Sequence, residues 1–235
     1  MDESPAHDRP ADAAAADPAD EALDPAAMYA LLQNQRLSAR AQLGDFVPLI
    51  SGAWGVAWLL GFGSLWLIDG VEGFSLPVPL AVTVFVATLV VAGGLSAWLG
   101  FRTGRGMRGN TGAAFTGIVF GNLWWVGSAA IGILGAGLRA QGMTAELANF
   151  YYPCAYVLFA GIMYIVAGAI WHAVPSVVAG LWLVIVAAVA SLFPYPQHYL
   201  FLALAAGIGF LVLSLTSGLR LRRIRRAAAG GDPRG

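Results

Sequence analysis

Apolar residues in this chain come in long runs, parted by short polar ones. The first run, Phe46 to Ile68, is 23 residues without a charge after its start. At about 1.5 Å of rise per residue, it covers a bilayer hydrocarbon core of roughly 30 Å. Within it, Trp54, Trp58, Phe62 and Trp66 recur every fourth residue and predict one aromatic ridge. Ala53, Ala57 and Gly61 form a neighbouring row of small residues, against which a second helix backbone can come close.

Five further runs predict spans at about 77–99, 113–137, 153–171, 175–193 and 199–219. The polar stretch Arg139 to Asn149 parts the third from the fourth. His172-Ala-Val-Pro175 parts the fourth from the fifth, because proline disfavours helix for the residue before it. A single kinked helix over 153–193 is the alternative reading there. Pro194-Tyr-Pro-Gln-His198 reads as a tight turn ahead of the last span. The fold class is therefore all-α, a polytopic membrane helix bundle with six transmembrane helices over 45–219.

The flanks read differently. Residues 1–24 hold eight acids against Arg9 and almost no large apolar side chain, which predicts a disordered, solvated acidic tail. It lacks the apolar core of a signal peptide. Asp24-Pro25 then reads as an N-cap with proline in the first turn. The predicted helix over 25–44 is amphipathic and interfacial, with Met28, Leu32, Ala39 and Leu43 near one face and Arg36 and Arg40 on another. Residues 220–235 are a basic tail.

Charge sets the orientation. Only 11% of residues are charged, and the 13 basic side chains are all arginine. Arg36 and Arg40 precede span one, Arg102, Arg105 and Arg108 follow span two, and five arginines follow span six. In a six-span chain these clusters share one side, and Asp69, Glu72 and Glu146, with Arg139 alone among the arginines, face the other. Both termini are thus expected in the cytoplasm of a bacterial cell, with the chain in its plasma membrane.

The run Ala-Trp-Gly-Val-Ala-Trp-Leu-Leu-Gly-Phe-Gly-Ser-Leu-Trp-Leu over residues 53–67, after a short Gln/Arg-rich helix, resembles the opening of a group of small six-span membrane proteins. These come from high-GC Gram-positive bacteria and are loosely labelled transporters. The resemblance covers under a tenth of the chain and implies no catalytic residue. Size, span count and the interfacial helix are also similar to ABC-2-type permeases. The Phe101–Gly112 loop departs from that pattern by its glycines, and the connection between spans five and six departs by its shortness.

Candidate chemistry is sparse. No Asp, Glu or Arg lies within a predicted span, so a self-contained proton- or sodium-coupled carrier lacks its usual titratable group. Without lysine there is no Walker A motif, and an energising ATPase would have to be a separate subunit. Three histidines, one cysteine and no HExxH argue against a metal, a cofactor or an enzyme. Asn122, the only amide within a span, is expected to face other helices or a wet cavity.

Tyr156, Tyr164 and His172 recur every eight residues near one face and are candidates for a polar path, with Asn122, Tyr156 and Tyr164 as ligand-binding candidates. Interhelical hydrogen bonding explains the same residues with fewer assumptions. Arg220, Arg222, Arg223, Arg225 and Arg226 read as a lipid-headgroup anchor rather than a nucleic-acid site. The leading function is a permease-like transport component, as a homodimer or with a separate ATPase. The rival is a non-transporting scaffold or regulator that binds another membrane protein.

Overall fold

The structure, a computed structural model, describes residues 25–104 and 111–230. The acidic tail over 1–24, Arg105 and Arg108 lie outside these, as do residues 231–235. The chain divides into two units, Met1–Ala41 and Gln42–Gly235. Of the first, the described part is helical from Pro25.

The described residues are helical throughout, apart from turns and one isolated bridge between Val71 and Phe74. The helices are α1 (Pro25–Trp66), α2 (Val78–Gly104), α3 (Thr111–Ala140), α4 (Ala145–Trp171) and α5 (Val174–Ala190). A last rod comprises α6 (Gln197–Leu202), a π-turn (Ala203–Gly207) and α7 (Ile208–Gly230). Five stretches among them are long and apolar enough to cross a membrane: Phe46–Trp66, Val78–Arg102, Ala114–Ala140, Ala145–Trp171 and Gln197–Arg223. α5 is as apolar but has 17 residues.

Three element boundaries differ from the sequence reading. α1 carries no break near residue 44 and runs through Pro48. α4 starts at Ala145 rather than near 153, because the Thr144 hydroxyl caps it, accepting from Leu147 N at 3.2 Å. Glu146 in that first turn suits the helix dipole. α7 continues past residue 219 to Gly230, so most of the arginine segment extends the last helix. The region 153–193 is two helices, ended and restarted around His172, which takes a left-handed φ of 52°.

The core of the second unit is the aromatic ridge. Trp58 and Phe62 are buried and meet edge to face at 6.1 Å between ring centres. Trp58 packs edge to face on Phe210 of α7 at 5.2 Å, and Phe62 lies 5.4 Å from Phe85 of α2. The small-residue row receives α2 as its spacing predicts: Thr88 Oγ1 donates to Ala57 O at 3.3 Å, and Trp54 Nε1 donates to Ser96 Oγ at 3.0 Å. On the other side of α1, a Cβ at Gly55 would stand 3.0 Å from Gly207 O, so the π-turn of the last rod crosses there backbone to backbone.

α4 and α5 form the tightest pair. A Cβ at Gly180 would meet Gly161 O at 2.6 Å, and one at Gly161 would meet Gly180 O at 2.8 Å. α3 packs against α4, through Gly127 on Phe159 and Gly135 on Tyr152.

These contacts sort the helix ends. Ser214 Oγ of α7 donates to Pro48 O at 2.6 Å. Antiparallel pairing of α1 with α2 brings Arg102 toward that same end. At the opposite end, Tyr195 Oη donates to Asp69 Oδ2 at 2.6 Å, and the His198 ring lies 3.1 Å from Asn149 O.

Candidate functional site

The predicted polar residues do not converge. Asn122 is exposed on α3, and its amide donates to Ile118 O of its own helix at 2.8 Å. The expectation that it faces other helices or a cavity of this chain is therefore corrected: the next turn of α3 satisfies the amide without either.

Tyr156 Oη donates to Ser128 O at 3.1 Å and ties α4 to α3. Tyr164 instead turns toward α7, edge to face with Phe210 at 5.3 Å, while its carbonyl accepts from Ser176 Oγ of α5 at 3.0 Å. His172 is exposed at the end of α4. The expected common face fails for a geometric reason. Eight residues at about 100° each overshoot two full turns by roughly 80°, so successive members of the row face different neighbours. No polar path links them.

One group that the sequence reading left in a surface turn is fully enclosed. His198 is 0% exposed, sandwiched against Phe150 at 4.3 Å and Tyr199 at 4.0 Å between ring centres. Its Nε2 donates to Asn149 O at 3.1 Å, since a carbonyl can only accept. That carbonyl is open because Pro153, four residues on, has no N–H to give it. The Nδ1 atom has no hydrogen-bond partner. The Asn149…Pro153 spacing was the available signal, because a proline inside a helix frees the carbonyl four residues before it.

Nearby, partial burial, and then the Asp69 hydrogen bond and charge, push the exposed Tyr195 phenol up to about 12. Among the described residues no three His, Cys, Asp or Glu side chains come together as a metal site would need.

At the other end, Arg220, Arg222, Arg223 and Arg226 are exposed on the last turns of α7. Arg225 belongs to the same helix. Arg220 also borders a long apolar groove between α5 and the α6–α7 rod, about 1220 Å³ in volume. Trp182 stands in its wall, with Nε1 donating to Ala205 O in the π-turn at 2.9 Å. The looser turn leaves carbonyls open to such a side-chain donor. Gly209 makes room for the indole, since a Cβ there would lie 2.6 Å from Nε1.

Five membrane-length apolar helices and a shell of exposed apolar side chains fit a multi-pass integral membrane protein. No protein-family model, curated protein or solved structure matches the chain.

Proposed function

We propose that this chain is a six-span protein of a bacterial plasma membrane with both termini in the cytoplasm, acting as a permease-like transport component energised by a separate partner. The span that brings the five membrane-length helices to six is α5, fifth in chain order. Support for it comes from its hairpin with α4, which returns the chain from the Pro175–Arg220 end to the Tyr195–Asp69 end.

The observation that carries the need for a partner is the fate of the polar groups inside the bundle. Asn122 and the Tyr156 hydroxyl bond to backbone, an aromatic core packs the second unit, and the charged residues of the membrane-length helices (Arg102, Arg139, Glu146, Arg220, Arg222 and Arg223) all lie near their ends. The described residues thus offer a solute no polar route through one chain, and a route would form between chains. α3 offers the surface for it. Its outward face carries exposed Ile118, Trp125 and Ile133, and Gly117 and Gly121 have open space beside them.

The scaffold reading uses the same α3 face without a solute. Purification in mild detergent separates the two. A stoichiometric ATPase whose hydrolysis responds to this chain supports transport. A stable complex with a different membrane protein and no ATPase supports the scaffold. A chain that stays monomeric and alone under cross-linking from Gly121→Cys overturns both.

A further inference from the structure

We propose that the groove between α5 and the α6–α7 rod is a binding site for one anionic phospholipid, with its phosphate at Arg220 and an acyl chain along the helices. The proposal rests on the reading that α7 crosses the membrane, and it holds whichever side Arg220 faces.

The groove's walls are apolar and its one charge stands at one end. Val174, Val178 and Trp182 line the α5 side, and Ile208, Val212 and Thr216 line the α7 side. The Thr216 hydroxyl donates to Val212 O at 2.8 Å, so it offers the groove no free donor. Arg220 closes the end beside Val174 and Pro175, with exposed Arg222 and Arg223 on the same turns. Between Glu146 and Asp232 the sequence holds no carboxylate, so this half of the chain supplies no counter-ion from its own helices.

Length agrees with a lipid tail. One leaflet's hydrocarbon is roughly 15 Å deep, half of a 30 Å core, which corresponds to about ten residues of helix. Ten residues back from Arg220 is Phe210, next to Gly209, where the Trp182 indole packs across and is pinned to Ala205 O. The leaflet-deep part of the groove thus runs from a cation to a fixed aromatic floor. At about 1220 Å³ the whole groove exceeds the roughly 300–1,000 Å³ of small-ligand pockets, as a long tail requires.

An anionic headgroup is favoured over a zwitterionic one because Arg220, Arg222 and Arg223 add positive charge with no acid interleaved. A second copy of the chain would have to bury that charge at its own contact, which disfavours it as occupant.

The test is native mass spectrometry of the full chain from mild detergent, supplied with equal phosphatidylglycerol and phosphatidylcholine. One phosphatidylglycerol should stay bound in preference. Arg220→Gln should lower its occupancy roughly fivefold, the factor one arginine near an anionic headgroup is worth. Val178→Trp and Val212→Trp, which fill the groove from opposite walls, should each abolish retention while leaving the helical signal unchanged.

Equal retention of both lipids overturns the proposal. So does loss with Arg220→Gln alone while both tryptophan variants keep the lipid, because that is headgroup attraction without a groove. A dimer that either tryptophan variant dissolves assigns the groove to a second copy and also overturns it.

Discussion

A valine at Gly180 tests the backbone-to-backbone approach of α4 and α5. Its Cβ would sit 2.6 Å from Gly161 O and 2.7 Å from Ile165 N, both backbone atoms that no rotamer change can move. Ordinary contact begins at 3.4 Å, so the gap between 2.6 and 3.4 Å obliges α4 and α5 to part by about 0.8 Å. Overpacking of this kind costs about 1–3 kcal/mol. Alanine regains about 1 kcal/mol of helix propensity over glycine, so Gly180→Ala should destabilise by only about 1 kcal/mol. Valine brings two more methyl groups to the same crossing and should reach about 3 kcal/mol.

Gly93 on α2 is the control, since nothing lies within 4 Å of a Cβ there. Gly93→Val should stay within about 0.5 kcal/mol of the parent. The assay is unfolding by SDS in mixed micelles, followed by helical circular dichroism. If Gly180→Val unfolds at the same SDS fraction as Gly93→Val, the backbone approach of α4 and α5 is wrong.

Three other expectations follow from single contacts. His198→Leu strands the Asn149 carbonyl and should cost about 1–3 kcal/mol, and less in a Pro153→Ala background where an N–H is restored to it; strict additivity in the double-mutant cycle would refute Pro153 as the reason that carbonyl is open. Tyr195 holds its proton to about pH 12, whereas an unfolded tyrosine ionises near pH 10. Its contribution to stability is therefore complete below about pH 10 and lost as pH rises through about 12. Phenolate absorbance should lose one late-titrating tyrosine equivalent in Tyr195→Phe relative to the parent, and Asp69→Asn should move that equivalent part of the way back; a late phase of the same size in the parent and in Tyr195→Phe would mean the contact is absent. Trp182→Phe deletes the bond to Ala205 O and should lower stability by about 1 kcal/mol in the same SDS assay.

The helices were largely legible from hydropathy, because a membrane span has one dominant requirement, length without charge. The α1 ridge and the small row beside it were legible as well, since period-four spacing carries neighbours onto one face. The start of α4 was not, because Thr144 and Glu146 are polar and read as loop until their capping role is seen. Site residues fared worse for a related reason. Asn122 satisfies itself within one turn of its own helix, which no pattern of polarity can distinguish from a side chain facing a cavity. Tyr156 and Tyr164 share a period in sequence yet bind α3 and α7 respectively, since partner choice depends on how helices cross. His198 looked like a turn residue, and only the start of α6 beside the first turns of α4 encloses it.

The 17 residues of α5 have a mechanical consequence for the surrounding lipid. At 1.5 Å per residue α5 is about 25 Å long, some 5 Å short of a typical hydrocarbon core. Its neighbours Ala145–Trp171 and Gln197–Arg223 each reach 27 residues, long enough to tilt within that core. As a span, α5 therefore pulls the two leaflets together along one flank of the protein while the other flanks leave them at full thickness. With α5 as a span, as proposed above, the bilayer around this molecule would be dimpled on a single side, and a thinner membrane would hold it with less strain than a thick one.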